Sequence, residues 1–153
     1  MPPLKPQGIL PGPPPTLADV PYGDDPRQVL DFWRADSPGP APLLFFIHGG
    51  GWQGGDKGKV YSSGLTNFLS AGVSVVSVEY RFVSQAHAAG VKPPVEWPLH
   101  DAARALQFVR SKAGEWNIDK TRVAASGGSA GACSSLWLAF RDDMADPKSD
   151  DPV

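Results

Sequence analysis

A chain of 153 residues is long enough for one ordinary domain and too short for two. Its 14 basic and 16 acidic side chains leave a formal charge of −2, which excludes a general attraction to nucleic acid or to an anionic membrane. The single cysteine, Cys133, excludes an internal disulfide, and no apolar run approaches the ~20 residues of a membrane helix.

Residues 1–21 are dominated by Pro and Gly, with one Lys and no apolar core, so they lack the pattern of a secretory leader. They predict a poorly ordered arm on a cytoplasmic protein. "RQVLDFWR", residues 27–34, alternates in part and runs into the breaker-rich "ADSPGPAP", a strand followed by a turn. "PLLFFIHGGG" is continuously apolar from Leu43 to Ile47, as in a strand buried on both faces. In "YSSGLTNFLSAG", Leu65, Phe68 and Leu69 stand at helical spacing and Gly72 closes the helix.

"VSVVSVEYR" predicts the next strand. A loop with Pro93, Pro94 and Pro98 leads to "LHDAARALQFVRSKAG", where Leu99, Ala102, Leu106, Val109 and Ala113 trace a helical stripe ended by Gly114. Asp101 at its start reads as favourable first-turn charge. "TRVAAS" is a further strand and "AGACSSLWLAF" a further helix, in which Cys133 and Trp137 read as core. Residues 142–153 form an acidic, Pro-interrupted, solvated tail. Strand, strand, helix, strand, helix, strand, helix implies the α/β class. The expected architecture has three layers, a mostly parallel sheet with helices on both faces, carried by residues 22–141.

Two motifs bear chemistry. Gly127-Gly128-Ser129-Ala130-Gly131 matches Gly-x-Ser-x-Gly between a strand and a helix, a strained turn that lifts a serine hydroxyl above the sheet. It also sets Ser129 at a helix N-terminus, where free N–H groups favour developing negative charge. His48-Gly49-Gly50-Gly51-Trp52 follows the first buried strand, and its glycines let backbone N–H groups turn toward a nearby oxyanion. Both lie at the C-terminal edge of predicted parallel strands, where open α/β sheets bind ligands.

Other chemistries fit less well. Gly49-x-Gly51-x-x-Gly54, with Glu79 beyond it, matches a dinucleotide fingerprint, but bulky Trp52 and the delayed helix argue against it. His48, His87 and His100 lack paired metal-ligand spacing, so neither a metal nor another cofactor is expected. Glu79, Tyr80 and Arg81 read as a buried polar brace below the site.

"FFIHGGGWQGGDK", "VSVEYR" and "WNIDKTRVAASGGSAG", in that order, resemble the α/β-hydrolase superfamily, nearest to esterases and lipases similar to hormone-sensitive lipase. The resemblance covers residues 28–140. It implies Ser129 as nucleophile on carboxylic esters, small molecules with short acyl chains. It implies an oxyanion hole of the backbone N–H groups of Gly50, Gly51 and Ala130, with His48 holding the loop. Trp52, beside that loop, is expected to line the acyl or alcohol pocket. "HGGGW" followed by "GDK" also resembles feruloyl-type esterases and arylformamidases.

The chain departs from the family at Gly128, where an acid is usual, and at Ala132, where a glycine is. In this fold the triad runs Ser, then Asp or Glu, then His. Asp142, Asp143, Asp146, Asp150 and Asp151 follow Ser129, but all three histidines precede it. The resemblance therefore implies the N-terminal part of an α/β-hydrolase domain, truncated before its base. An inactive fragment, a ligand-binding remnant, or a sheet completed by a partner chain are the alternatives. His87 or His100 as a substitute base is disfavoured, because a helix start opposes the imidazolium that catalysis generates. The strand before Ser129 would be an exposed sheet edge, which invites pairing with a second copy.

Overall fold

Strands β1 (Leu17–Pro21), β2 (Val29–Trp33), β3 (Ala41–Ile47), β4 (Ser74–Val78) and β5 (Ile118–Gly127) form one sheet in the order β1-β2-β4-β3-β5. The computed structural model describes residues 12–142, 144, 147–151 and 153. The sheet is mixed. β4, β3 and β5 run parallel, whereas β2 is antiparallel to both β1 and β4.

Strand β3 explains its own sequence. Leu43, Phe45 and Ile47 join Phe32, Val76 and Val109 in one core, and Leu44 and Phe46 join Trp33, Val60 and Leu65 in another on the opposite face. Both faces are covered, so the run needs no polar alternation. The second core is closed by a 3₁₀ helix (Lys57–Ser63) and α1 (Leu65–Ser70). The first lies under α3 (Glu96–Ser111) and the short α4 (Ala113–Trp116), and a one-turn-and-a-half helix, α2 (Val83–Ala88), links β4 to α3.

Four expectations are corrected here. The arm of residues 1–21 ends in a strand: its last five residues are β1, paired Leu17↔Phe32, Val20↔Leu30 and Pro21↔Val29. Side chains dock it where composition gave no hint. Trp33 Nε1 donates to Pro13 O at 2.8 Å, and Asp31 Oδ1 accepts from Asp19 N at 2.8 Å. Pro21 is tolerated because β1 is an edge strand. Residues 1–11 lie outside the described residues.

Helix α3 begins at Glu96 rather than near Leu99, because Pro98 falls in the first turn, where its missing N–H costs nothing. Asp101 is therefore in the second turn, buried and paired with Arg81, not a first-turn surface charge. The stripe also ends earlier than Gly114. α3 stops at Ser111, Gly114 lies inside α4, and Asn117 in left-handed geometry closes that turn.

Helix α5 (Ala130–Phe140) matches its expected span, but Cys133 is exposed rather than buried. The cause is its place beside β5, the edge of the sheet: no described strand lies beyond to cover that side. The outward stripe continues through Leu136, 59% exposed, and Phe140, 84% exposed. Trp137 is half-buried, 5.9 Å from the His100 ring. In the tail, residues 142, 144 and 147–151 are exposed and Val153 is half-buried, with Asp151 held by Arg104; residues 143, 145, 146 and 152 lie outside the described residues. Among the described residues, no helix is long and apolar enough to cross a membrane.

Candidate active site

The turn between β5 and α5 stores backbone strain at one residue. Ser129 has φ 53° and ψ −120°, a conformation that side-chain-bearing residues rarely adopt and that costs about 1–3 kcal/mol. The flanking glycines make the turn possible. A Cβ on Gly127 or on Gly131 would overlap the carbonyl oxygen of Ile47, so the elbow sits directly on the end of β3. Gly128 faces open space, so a Cβ there would meet nothing within 4 Å. The turn is closed by Gly131 N donating to Gly128 O and Cys133 N donating to Ser129 O, both at 3.0 Å.

The glycine loop after β3 curls on itself. Gly50 (φ 119°), Gly51 (φ 63°) and Trp52 (φ 56°) are all left-handed, and Gly50 O accepts from Gln53 N at 3.0 Å and Gly54 N at 3.1 Å. The loop and the elbow touch: a Cβ on Gly49 would meet Ser129 Cβ at 3.4 Å and, closer still, Gly128 O at 2.5 Å. Among the described residues, the N–H groups of Gly50, Gly51 and Ala130 have no acceptor. Of the three, Gly50 lines the cleft beside Ser129, whereas Gly51 and Ala130 are not among the residues lining it.

Below the loop lies the brace read from "EYR". His48 is fully buried, with Nε2 2.9 Å from Glu79 Oε1 and Nδ1 2.7 Å from Gly49 O. Its ring stacks on Tyr80 at 4.3 Å, and the Tyr80 hydroxyl donates to His48 O at 2.8 Å. Glu79 also accepts from Arg27 Nη2 at 2.5 Å and Lys57 N at 3.3 Å. Arg27 lies over the Phe82 ring, 3.6 Å from its centroid. Burial pushes the Tyr80 phenol well above the tyrosine range, and the Glu79 charge adds to it. Arg81 instead turns to Asp101, 2.6 Å away, which also accepts from Gln28 Nε2 at 2.8 Å.

Both imidazole nitrogens of His48 are therefore engaged inside the brace, away from the serine. His100 is on α3, 4.0 Å from Glu96 and against Trp137, and lines a separate cleft with Arg104 and Lys120. His87 is exposed on α2. Neither lines the cleft at Ser129. That cleft, about 670 Å³, runs between the glycine loop and the elbow, with Phe46, Ser126 and the 3₁₀-helix residues Lys59, Ser62 and Ser63 on its walls.

Trp52 is not among the residues lining this cleft; its indole Nε1 donates to Ser134 Oγ on α5 at 3.0 Å and its ring packs on the core. Left-handed geometry turns its side chain down toward the helix, pinning loop to elbow. Lys59, Ser62 and Ser63 were not singled out from sequence. The legible signal was Asp56, which caps the 3₁₀ helix by accepting from Gly58 N at 2.8 Å and so fixes how that polar turn lies against the glycine loop.

Residues 30–150 match the BD-FAE family. The chain is 35% identical over 114 residues to esterase LipC of Mycobacterium tuberculosis, covering 72% of this chain and 26% of that protein. It is 34% identical over 128 residues to the probable carboxylic ester hydrolase LipM of the same organism, covering 80% and 28%. Among solved structures, an acetyl ester-xyloside bifunctional hydrolase from Caldicellulosiruptor lactoaceticus superimposes with a TM-score of 0.68 at 29% identity, over 88% of this chain and 47% of that one. The chain thus spans about a quarter of the length of these curated relatives.

Proposed function

The chain belongs to the BD-FAE family of esterase-type α/β-hydrolases, and from that premise we propose that it carries the nucleophilic half of a carboxylic ester hydrolase site. Ser129 Oγ attacks the ester carbonyl carbon, and the carbonyl oxygen becomes an oxyanion held by the N–H groups of Gly50, Gly51 and Ala130. Collapse expels the alcohol and leaves an acyl group on Ser129, which water then removes. The observation that supports this reading is a strained serine, φ 53°, abutting a glycine loop in which the N–H groups of Gly50 and Gly51 are uncommitted. Such preorganised donors are worth about 3–4 kcal/mol each in transition-state stabilisation.

A serine hydroxyl needs a base at neutral pH. The buried contacts of His48 and the positions of His87 and His100 argue that none of them serves. We assign the acid and base to polypeptide that adds at the β5 edge, and the same edge with the outer face of α5 is the surface through which copies of the chain associate. The cleft suits a small ester, since about 300–1,000 Å³ is the usual range for such sites.

Turnover of p-nitrophenyl acetate and butyrate by purified chain, with Ser129→Ala as control, tests the reading. Turnover that disappears in the variant supports it, and turnover that rises more steeply than chain concentration supports completion by association. Equal background in both proteins refutes hydrolysis by this chain alone and leaves a ligand-binding remnant.

A further inference from the structure

Two lysines flank the first turn of the 3₁₀ helix, and their surroundings differ. Lys57 is spent: its Nζ lies 2.8 Å from Asp31 Oδ2 and 2.9 Å from Asp19 Oδ1, which ties the turn to the β1–β2 hairpin. Lys59 is two residues on, exposed, and no carboxylate of the described residues is within ion-pairing distance of it. Asp56, its nearest acidic neighbour in sequence, is turned onto the N–H of Gly58.

Among the described residues, Lys59 is also the one ionisable side chain on the wall of the Ser129 cleft. The other walls are Phe46, glycine backbone and serine hydroxyls, and they carry no charge. The hydroxyls of Ser62 and Ser63 both donate to the Lys59 carbonyl, at 2.8 and 3.4 Å, so that their own protons are committed to the helix. The cleft therefore has a positive potential with no internal counter-charge, next to a serine whose substrate is a small ester.

We infer that Lys59 is a specificity-determining residue, selecting esters that carry a carboxylate or other anionic group a few bonds from the scissile carbonyl. The inference rests on the ester-binding reading of the cleft but not on turnover. An ammonium on a flexible stem pairs with such a group as a point charge, at low geometric cost. Because the side chain is exposed, the gain is modest and salt-sensitive, about two- to fivefold in affinity near 50 mM salt and shrinking as the ionic strength rises.

The test uses the Ser129→Ala chain, so that ligand survives the measurement. Chemical-shift titration with monomethyl glutarate places the carboxylate in the acyl part, and 4-acetoxybutyrate places it in the alcohol part. Methyl pentanoate and butyl acetate are the neutral counterparts. Tighter binding of at least one anionic ester, lost in Lys59→Met and kept in Lys59→Arg, supports the inference, and which ester wins assigns the group to the acyl or alcohol side. An unchanged preference in Lys59→Met, a preference for the neutral esters, or no binding of any ester overturns it. Turnover by the unaltered chain is scored separately: charge-selective binding without hydrolysis sinks the proposed activity and leaves this inference standing, and hydrolysis without charge selection does the reverse.

Discussion

Two glycines of the elbow, Gly128 and Gly131, are expected to respond in opposite ways to the same added methyl group. In Gly131→Ala the new Cβ overlaps the Ile47 carbonyl oxygen and lies 2.8 Å from Ile47 C and 3.0 Å from His48 C. Carbon atoms prefer separations of about 3.5–4.0 Å. All three obstacles are backbone, and β3 is held by β4 on one side and β5 on the other, so none can swing away as a side chain would. Relief requires α5 to lift from the sheet, which places the cost at the top of the usual overpacking range, about 3 kcal/mol. Replacing glycine by alanine in a helix returns up to about 1 kcal/mol, so the net loss is about 2 kcal/mol or more. With an m-value of about 2 kcal/mol/M, the urea midpoint followed by circular dichroism falls by about 1 M. In Gly128→Ala the Cβ enters open space, and the midpoint stays level or rises slightly as the unfolded chain loses freedom. An undisturbed Gly131→Ala midpoint, or equal damage from Gly128→Ala, would refute the close approach of elbow and β3.

Relaxing the serine should stabilise the fold. Ser129→Gly removes a strain of about 1–3 kcal/mol and pays back 0.5–1 in glycine freedom, so it is expected to exceed Ser129→Ala by about 1 kcal/mol in urea unfolding; an alanine variant of equal stability would contradict the strained geometry. Alkaline pH should weaken the fold for a separate reason. Burial raises the phenols of Tyr22 and Tyr80, and carboxylate hydrogen bonds raise the Lys57 ammonium against its own burial. The native state then keeps protons that the unfolded chain releases from about pH 10, so stability is level below that range and falls as pH rises through it. Urea midpoints between pH 8 and 11.5 should show this slope, and Tyr80→Phe should flatten it; a slope unchanged in that variant would clear Tyr80. Finally, the paired changes Leu136→Lys and Phe140→Glu should lower concentration-dependent association in sedimentation velocity, whereas sedimentation identical to the unaltered chain would move the contact elsewhere.

Local signals made most of the frame readable. The β3 run, the β4 run and the α5 span each carry their period within ten or so residues, and each formed where expected. What failed depended on distant partners. Nothing in "LADVP" marks a strand until Trp33 and Asp31 reach across to residues 13 and 19. Asp101 looked like helix-start charge because Pro98 hid the true start, and its pairing with Arg81 and Gln28 crosses 20 and 73 positions of sequence. Cys133 was misjudged because an apolar helix normally implies cover on every side, and cover is a property of the sheet edge rather than of the helix. Trp52 sits beside the glycine loop in sequence, but its left-handed backbone, invisible to composition, sends the ring to Ser134.

The same locality explains how the proposed nucleophile is shaped although no described base lines its cleft. The close approaches around Ser129 come from β3, β5, α5 and the glycine loop, through Gly127, Gly131, Gly49 and the Ile47 carbonyl. The glycine loop is held by its own curl, by the His48–Glu79–Tyr80 brace, by Val83 N on the Trp52 carbonyl and by Trp52 on Ser134. The strain at the serine is thus sustained by packing between neighbouring parallel strands, and it persists whatever occupies the outer side of β5. A base, by contrast, has no such local support, since no described His, Asp or Glu lines the cleft. The electrostatic and proton-transfer parts of the proposed chemistry are therefore separable in this fold: the proposed oxyanion donors and nucleophile are held by the β3–β5 pair and the loop on it, and no described acid or base shares that support.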